Sequence, residues 1–168
     1  DVYNLTPWDE TLVLDADYVV NSNILDTCWD AAPDFLCFRS AFDATGSVAP
    51  LSETFGLYRF PMWWATVMRF RRSAMAEHIF DSMTMVKQHW QHYRDLYGIG
   101  ATEPYRNDYA LSIALGIVSG HTLKVDSLPW SMPSILPQHE LIKESEQWVV
   151  KYNDNQNKLR DRKSTRLN

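Results

Sequence analysis

No run of about eighteen apolar residues occurs in the chain, so no transmembrane helix is expected. Cysteine is scarce: Cys28 and Cys37 are the only two in 168 residues, and they fit neither a zinc spacing nor a disulfide framework. Both thiols are expected to be reduced, which favours a cytoplasmic setting. Basic charge is in deficit, with 16 Lys and Arg against 21 Asp and Glu, a formal net charge of −5 and a pI near 5.5. A nonspecific nucleic-acid binder carries a basic stripe, so that class is disfavoured. There is no Gly-rich phosphate loop. The first residue is Asp1 rather than Met, so a signal peptide ahead of it stays an open alternative.

What is present is ordinary for a soluble globular protein of one domain: 45% hydrophobic and 22% charged residues, enough to bury a sizeable core. Seven Trp, eight Tyr and seven Phe are more than average. Aromatic rings make good sugar platforms and equally good core, and most are expected to be core. Residues 161–168 match, residue for residue, one translated frame of a common sequencing adapter, and are set aside from fold reasoning. The chain then reads as a metagenomic fragment cut at both ends, with the natural protein stopping near Arg160.

The most informative stretch is Thr11-Leu12-Val13-Leu14-Asp15-Ala16-Asp17. Five residues from Thr11 read as a strand apolar enough to sit at the centre of an α/β sheet, and ligands of such sheets gather at the carboxyl ends of the strands. On an extended backbone Asp15 and Asp17 point to the same side. Acids just past a strand also serve as turn formers or helix caps. Two carboxylates facing one way are half of a site for a hard divalent ion, which takes oxygen ligands and commonly bridges to phosphate.

Further elements follow in order. A second β-rich run covers 18–20, a short helix 21–30, strand-like runs 35–38 and 54–59 flank a turn at 43–47, and another strand covers 67–70. Trp63, Trp64 and Thr66 lie at a ligand pocket or, for the tryptophans, in the core; Arg69, Arg71 and Arg72 meet phosphate or end in solvent. One long helix is expected from the Ser73 N-cap to the Gly98 stop, with Ala76, Ile79, Phe80, Met83, Val86, Trp90, Tyr93 and Tyr97 on one face. His78, His89 and His92 on it lack a carboxylate at metal-ligand spacing and read as surface histidines. A second helix opens near Thr102 and is apolar almost all round to Val118, as a buried helix is. Asp108 at its entrance either caps the positive end of the helix dipole or, with Asn107, faces a ligand's hydroxyls. An edge strand is expected at 121–125, a loop at 128–133 and a strand at 148–152.

The run Leu12-Val13-Leu14-Asp15-Ala16-Asp17 resembles the Asp-x-Asp motif of GT-A fold glycosyltransferases. The succession Pro61-Met62-Trp63-Trp64-Ala65-Thr66, a long helix with His89-Trp90 and Tyr93, then Tyr105-Arg106-Asn107-Asp108-Tyr109 is similar to a group of these enzymes. The resemblance covers roughly residues 8–152 and implies a GT-A-like mixed sheet flanked by helices, incomplete at the N-terminus, where the family builds its nucleotide-base pocket. It implies Mn or Mg held by Asp15 and Asp17 against the diphosphate of a nucleotide-sugar donor, a UDP-sugar by preference, and a carbohydrate or other hydroxyl acceptor. Asp108 matches the acid that touches donor sugar or acceptor, and Arg106 and Asn107 are carried over beside it. Many relatives add a His as third metal ligand; His121 and His139 are available, with the true equivalent expected past the end of the chain. The alternatives are a sugar-1-phosphate nucleotidyltransferase, which shares paired metal-binding acids, and a non-catalytic carbohydrate-binding protein with structural acids.

Overall fold

The computed structural model describes residues 2–20, 22–39, 41–43, 53–121, 125–130, 132–135, 139–144, 147–152 and 163–166. A short helix α1 (Val2–Leu5) leads into β1 (Glu10–Leu14), a 3-10 helix (Asn23–Cys28), β2 (Phe35–Phe38), β3 (Ala41–Asp43), β4 (Thr54–Phe55), β5 (Phe60–Pro61) and β6 (Trp64–Arg71). Helices α2 (Ala74–Gln88), α3 (Trp90–Leu96) and α4 (Asn107–Val118) come next, followed by β7 (Met132–Ser134), β8 (Glu140–Glu144), β9 (Gln147–Tyr152) and β10 (Lys163–Arg166). The fold is mixed α/β.

The organising strand is β6, not β1. The main sheet has the order β1-β6-β2, both neighbours antiparallel to β6, with Leu14 opposite Val67 and Phe35 opposite Phe70. Packing explains the exchange of places. A central strand must be covered on both faces, and β6 is buried at six of its eight positions, all but Thr66 and Arg71. By contrast β1 is half-buried and ends exposed at Leu14. Side-chain alternation still places Val13 against one core cluster and Leu12 against another. Among the described residues there is no doubly wound parallel sheet: the parallel contacts are β3 with β7 and the bridge Cys37–Ser127.

Three clusters make the core. One face of β6 packs Ala65, Met68 and Phe70 on α2 and α4; the other packs Trp64 and Val67 on the 3-10 helix, Phe38, Leu128 and Met132; a third surrounds Phe55, Tyr97 and Tyr109. The helix α4 is buried continuously from Tyr109 to Leu115, as its all-round apolar sequence requires. It begins at Asn107 rather than near Thr102, because Pro104 disfavours helical backbone at the residue before it and Arg106 is extended (φ −137°, ψ 144°).

The expected single long helix breaks at His89, whose backbone leaves the helical region (φ −117°, ψ 36°). Beyond the break Trp90 stacks on Tyr109, ring centroids 5.8 Å apart. The Ser73 cap is present, its side chain accepting from the Ala76 amide at 3.2 Å, and Gly98 takes the left-handed φ of +64° that favours glycine. His78, His89 and His92 are exposed.

Four other expectations change. The run 54–59 is a strand only at Thr54–Phe55, then a turn closed by Arg59 N–H on Gly56 O. Residues 18–20 are irregular, β7 falls inside the expected loop at 128–133, and His121 lies in a turn; residues 44–47 and 122–124 lie outside the described residues. The strand expected at 148–152 is β9, paired with β8 and, on its other edge, with β10.

All three arginines of β6 and its end bond to protein groups, while Arg71 and Arg72 also keep part of their surface in solvent, as expected of a strand end. Arg69 is fully buried and donates to Ala31 O and Glu10 Oε1, both at 3.1 Å. Arg71 also pairs with Glu10 and reaches Trp29 O and Ala32 O. Arg72 donates to Thr6 O and lies over the Tyr3 ring. They fasten the segments on either side to β6.

Candidate functional site

Where β1 ends, the chain turns instead of continuing extended. Asp15 N–H donates to Thr66 O at 2.9 Å as the last rung beside β6, and Tyr18 N–H donates to Asp15 O at 3.0 Å, closing a four-residue turn. Asp at the first position of such a turn is favoured because its side chain can bond its own backbone. Strand alternation therefore does not orient Asp15 and Asp17; the turn does. Both aspartates are exposed.

Asp108 is brought to the same end of the sheet. It occupies the first turn of α4, its side chain 15% exposed, with Oδ1 accepting from Ala65 N–H at 3.0 Å and Oδ2 from Arg106 Nη2 at 2.6 Å. Ser112, one turn further on, accepts from Trp63 N–H at 2.7 Å and donates to Asp108 O at 2.7 Å. The start of β6 is thus tied to the start of α4 by two side chains of the helix.

Electrostatics records the convergence. The Asp15 carboxyl is held above its ordinary range, chiefly by partial burial; the Thr66 side chain opposes this by hydrogen bonding, and the charges of Asp17 and Asp108 add to it. Like charges gathered at one place disfavour ionisation until a cation joins them. Asp108 contributes field and not ligation, since its two oxygens face Ala65 and Arg106. Among the described residues no group of three or more His, Cys, Asp or Glu side chains is placed to hold a metal ion.

The other expected residues divide. Arg106 is ion-paired to Asp108 and lies over the Tyr109 ring, while the exposed Asn107 accepts from the Tyr105 hydroxyl at 3.1 Å. Trp63 and Trp64 are each 8% exposed and point to opposite faces of the sheet. Trp64 is core. Trp63 lines a cleft of about 440 Å³ with Arg39, Phe60, Ser112, Leu115 and His121 among its walls. His121 bonds Tyr97 and lies against Phe60, so it is not gathered with the aspartates. His139 makes contacts of its own in β8's approach.

Reading the sequence missed Ser112 and Arg39. A serine within an otherwise apolar buried helix was the available signal for the first. An arginine at the carboxyl end of the four-residue apolar run 35–38 was the signal for the second.

Both thiols are unpaired and buried. Burial pushes each up from the ordinary cysteine range, with the Arg69 charge opposing it at Cys28. Among the described residues no helix is long and apolar enough to cross a membrane. The fold and site together define a mixed α/β protein with an acidic cluster at one end of its main sheet. In comparisons with known proteins, no family model, no curated protein and no solved structure matches the chain.

Proposed function

We propose that the protein is a metal-dependent glycosyltransferase that moves a sugar from a nucleotide-diphosphate donor, a UDP-sugar by preference, to a hydroxyl acceptor. The observation that carries this reading is the anchoring of Asp15 and Asp108, far apart in the chain, on the adjacent β6 residues Thr66 and Ala65.

Asp15 and Asp17 would hold Mn or Mg, which when bound supplies positive charge to a diphosphate leaving group. The chain's own contribution is positional. The turn after β1 presents the two carboxylates, Thr66 orients Asp15, and Ala65 and Arg106 fix Asp108 in the first turn of α4. Each Asp108 oxygen has two acceptor directions, so one per oxygen is left to orient a hydroxyl of donor or acceptor. A GT-A-like mixed sheet flanked by helices is part of the same proposal.

Binding tests the proposal without requiring turnover. Calorimetry of Mn with and without UDP should show cooperative binding of the pair in the wild type. In Asp15→Asn and Asp17→Asn the cation dependence should disappear. Binding of UDP-sugars that is unaffected by any cation would instead favour a carbohydrate-binding protein with structural acids.

A further inference from the structure

We propose that the cleft along α4 is a binding site for a sugar-sized ring carrying one oxyanion, a carboxylate or a phosphate. This does not rest on the transferase reading, because the residues concerned are not those of the aspartate cluster. Among the described residues the cleft, about 440 Å³, has no Asp or Glu on its walls, although acids outnumber bases in the chain. Its volume is that of a small-molecule site.

Two nitrogen-bearing side chains on its walls are held in place by the fold. Arg39 uses Nη1 to donate to Glu53 O and Met62 O, both at 2.9 Å, with its guanidinium carbon 5.7 Å from the centre of the Trp63 ring. Among the described residues its Nε and Nη2 have no hydrogen-bond partner. That edge is the one a guanidinium offers to a carboxylate or phosphate through two parallel bonds.

His121 is held at a cost to the backbone. Its φ is +56°, following Gly120 at +64°, a left-handed conformation that non-glycine residues rarely adopt. Its amide donates to Gly116 O at 2.8 Å, and Nε2 lies 3.2 Å from the Tyr97 hydroxyl. The ring rests over Gly116, where an added Cβ would come within 2.4 Å of it. A glycine in a buried helix interior is unfavourable, and here it makes room for the imidazole.

The remaining walls fit a hydroxylated ring. Phe60, Leu115 and Val125 are apolar. Ser119 Oγ donates to Gly116 O and Ser127 Oγ to Leu128 O, each at 3.3 Å, which leaves their oxygens to accept from ligand hydroxyls.

The test is binding of glucuronate, glucose 6-phosphate and glucose to the 168-residue chain, without nucleotide or divalent cation, followed by NMR at the Trp63 and His121 side chains. One or both anions should bind about tenfold or more tightly than glucose, as one charge-assisted contact allows. Which anion leads identifies the oxyanion as carboxylate or phosphate. Arg39→Gln should bring the anions down to the level of glucose. Ser119→Leu, which leaves Arg39 in place and fills the cleft, should abolish binding of all three, with thermal melts showing that each variant is folded. Equal binding of glucose and the anions, no binding of any probe by the folded wild type, or anion binding that survives both substitutions would overturn the proposal.

Discussion

The backbone amide of Ala65 donates to Asp108 Oδ1 at 3.0 Å, joining the strand that carries the core to the helix that carries the third aspartate of the site. Ala65 precedes Thr66, whose carbonyl receives the Asp15 amide. Adjacent residues of β6 therefore set the positions of two aspartates from segments far apart in the chain.

Asp108→Ala should destabilise the protein by about 2 kcal/mol, because it leaves the Ala65 amide and the Arg106 guanidinium without their acceptor in a partly buried place. Asp108→Asn keeps an acceptor for Ala65 and should cost roughly half as much by the same reasoning. Urea denaturation of the two variants measures the difference; equal costs would mean that the Ala65 bond carries no stability.

Asp15 gives a pH dependence of definite sign. Its folded-state carboxyl sits above its ordinary value, chiefly through partial burial, so the folded state holds the proton more tightly than the unfolded chain does. The stability this contributes is complete below the unfolded value and is lost as pH rises through the folded one. Asp15→Asn removes that loss, so the variant should gain on the wild type as pH rises above the ordinary carboxylate range. Melting temperatures of the pair from acid to neutral pH test this, and a variant whose melting temperature falls relative to the wild type, or keeps a constant difference from it, as pH rises would contradict it.

Arg69→Met should cost about 3 kcal/mol or more, since it strands the carbonyls of Ala31 and Pro33 beside a buried position and leaves Glu10 with Arg71 alone. Cation binding at Asp15 and Asp17 should persist wherever the variant stays folded. A variant as stable as the wild type would remove Arg69 from the scaffold.

Gly56→Ala should be among the most damaging small substitutions. Gly56 has φ +69°, and a Cβ there would lie 2.1 Å from the carbonyl oxygen of Tyr97. Backbone strain and a backbone clash act together, so a loss above roughly 2 kcal/mol is expected. A thermal melt that moves by less than a degree or two would contradict this.

Local signals were read well from the sequence, and pairing was not. The Ser73 cap, the Gly98 stop and the buried run of α4 each depend on residues within a few positions of one another. The Asp-x-Asp motif was found, but its geometry was not, because a turn at Asp15 depends on Thr66 receiving its amide. Centrality went to the wrong strand for a similar reason: an apolar run shows that a strand is buried, not how many neighbours it has. The tryptophans were divided only by the fold, which sends Trp64 into the core and Trp63 to the wall of a cleft. Arg39 and His121 meet there through contacts with residues 53, 62, 97 and 116, which no spacing along the chain announces.

The most direct measurement is turnover of a panel of sugar nucleotides, with and without Mn or Mg, by the wild type beside Asp17→Asn. The account predicts turnover of at least one donor that requires the cation and collapses in the variant. Equal turnover by the two proteins, or turnover indifferent to the cation, would contradict it.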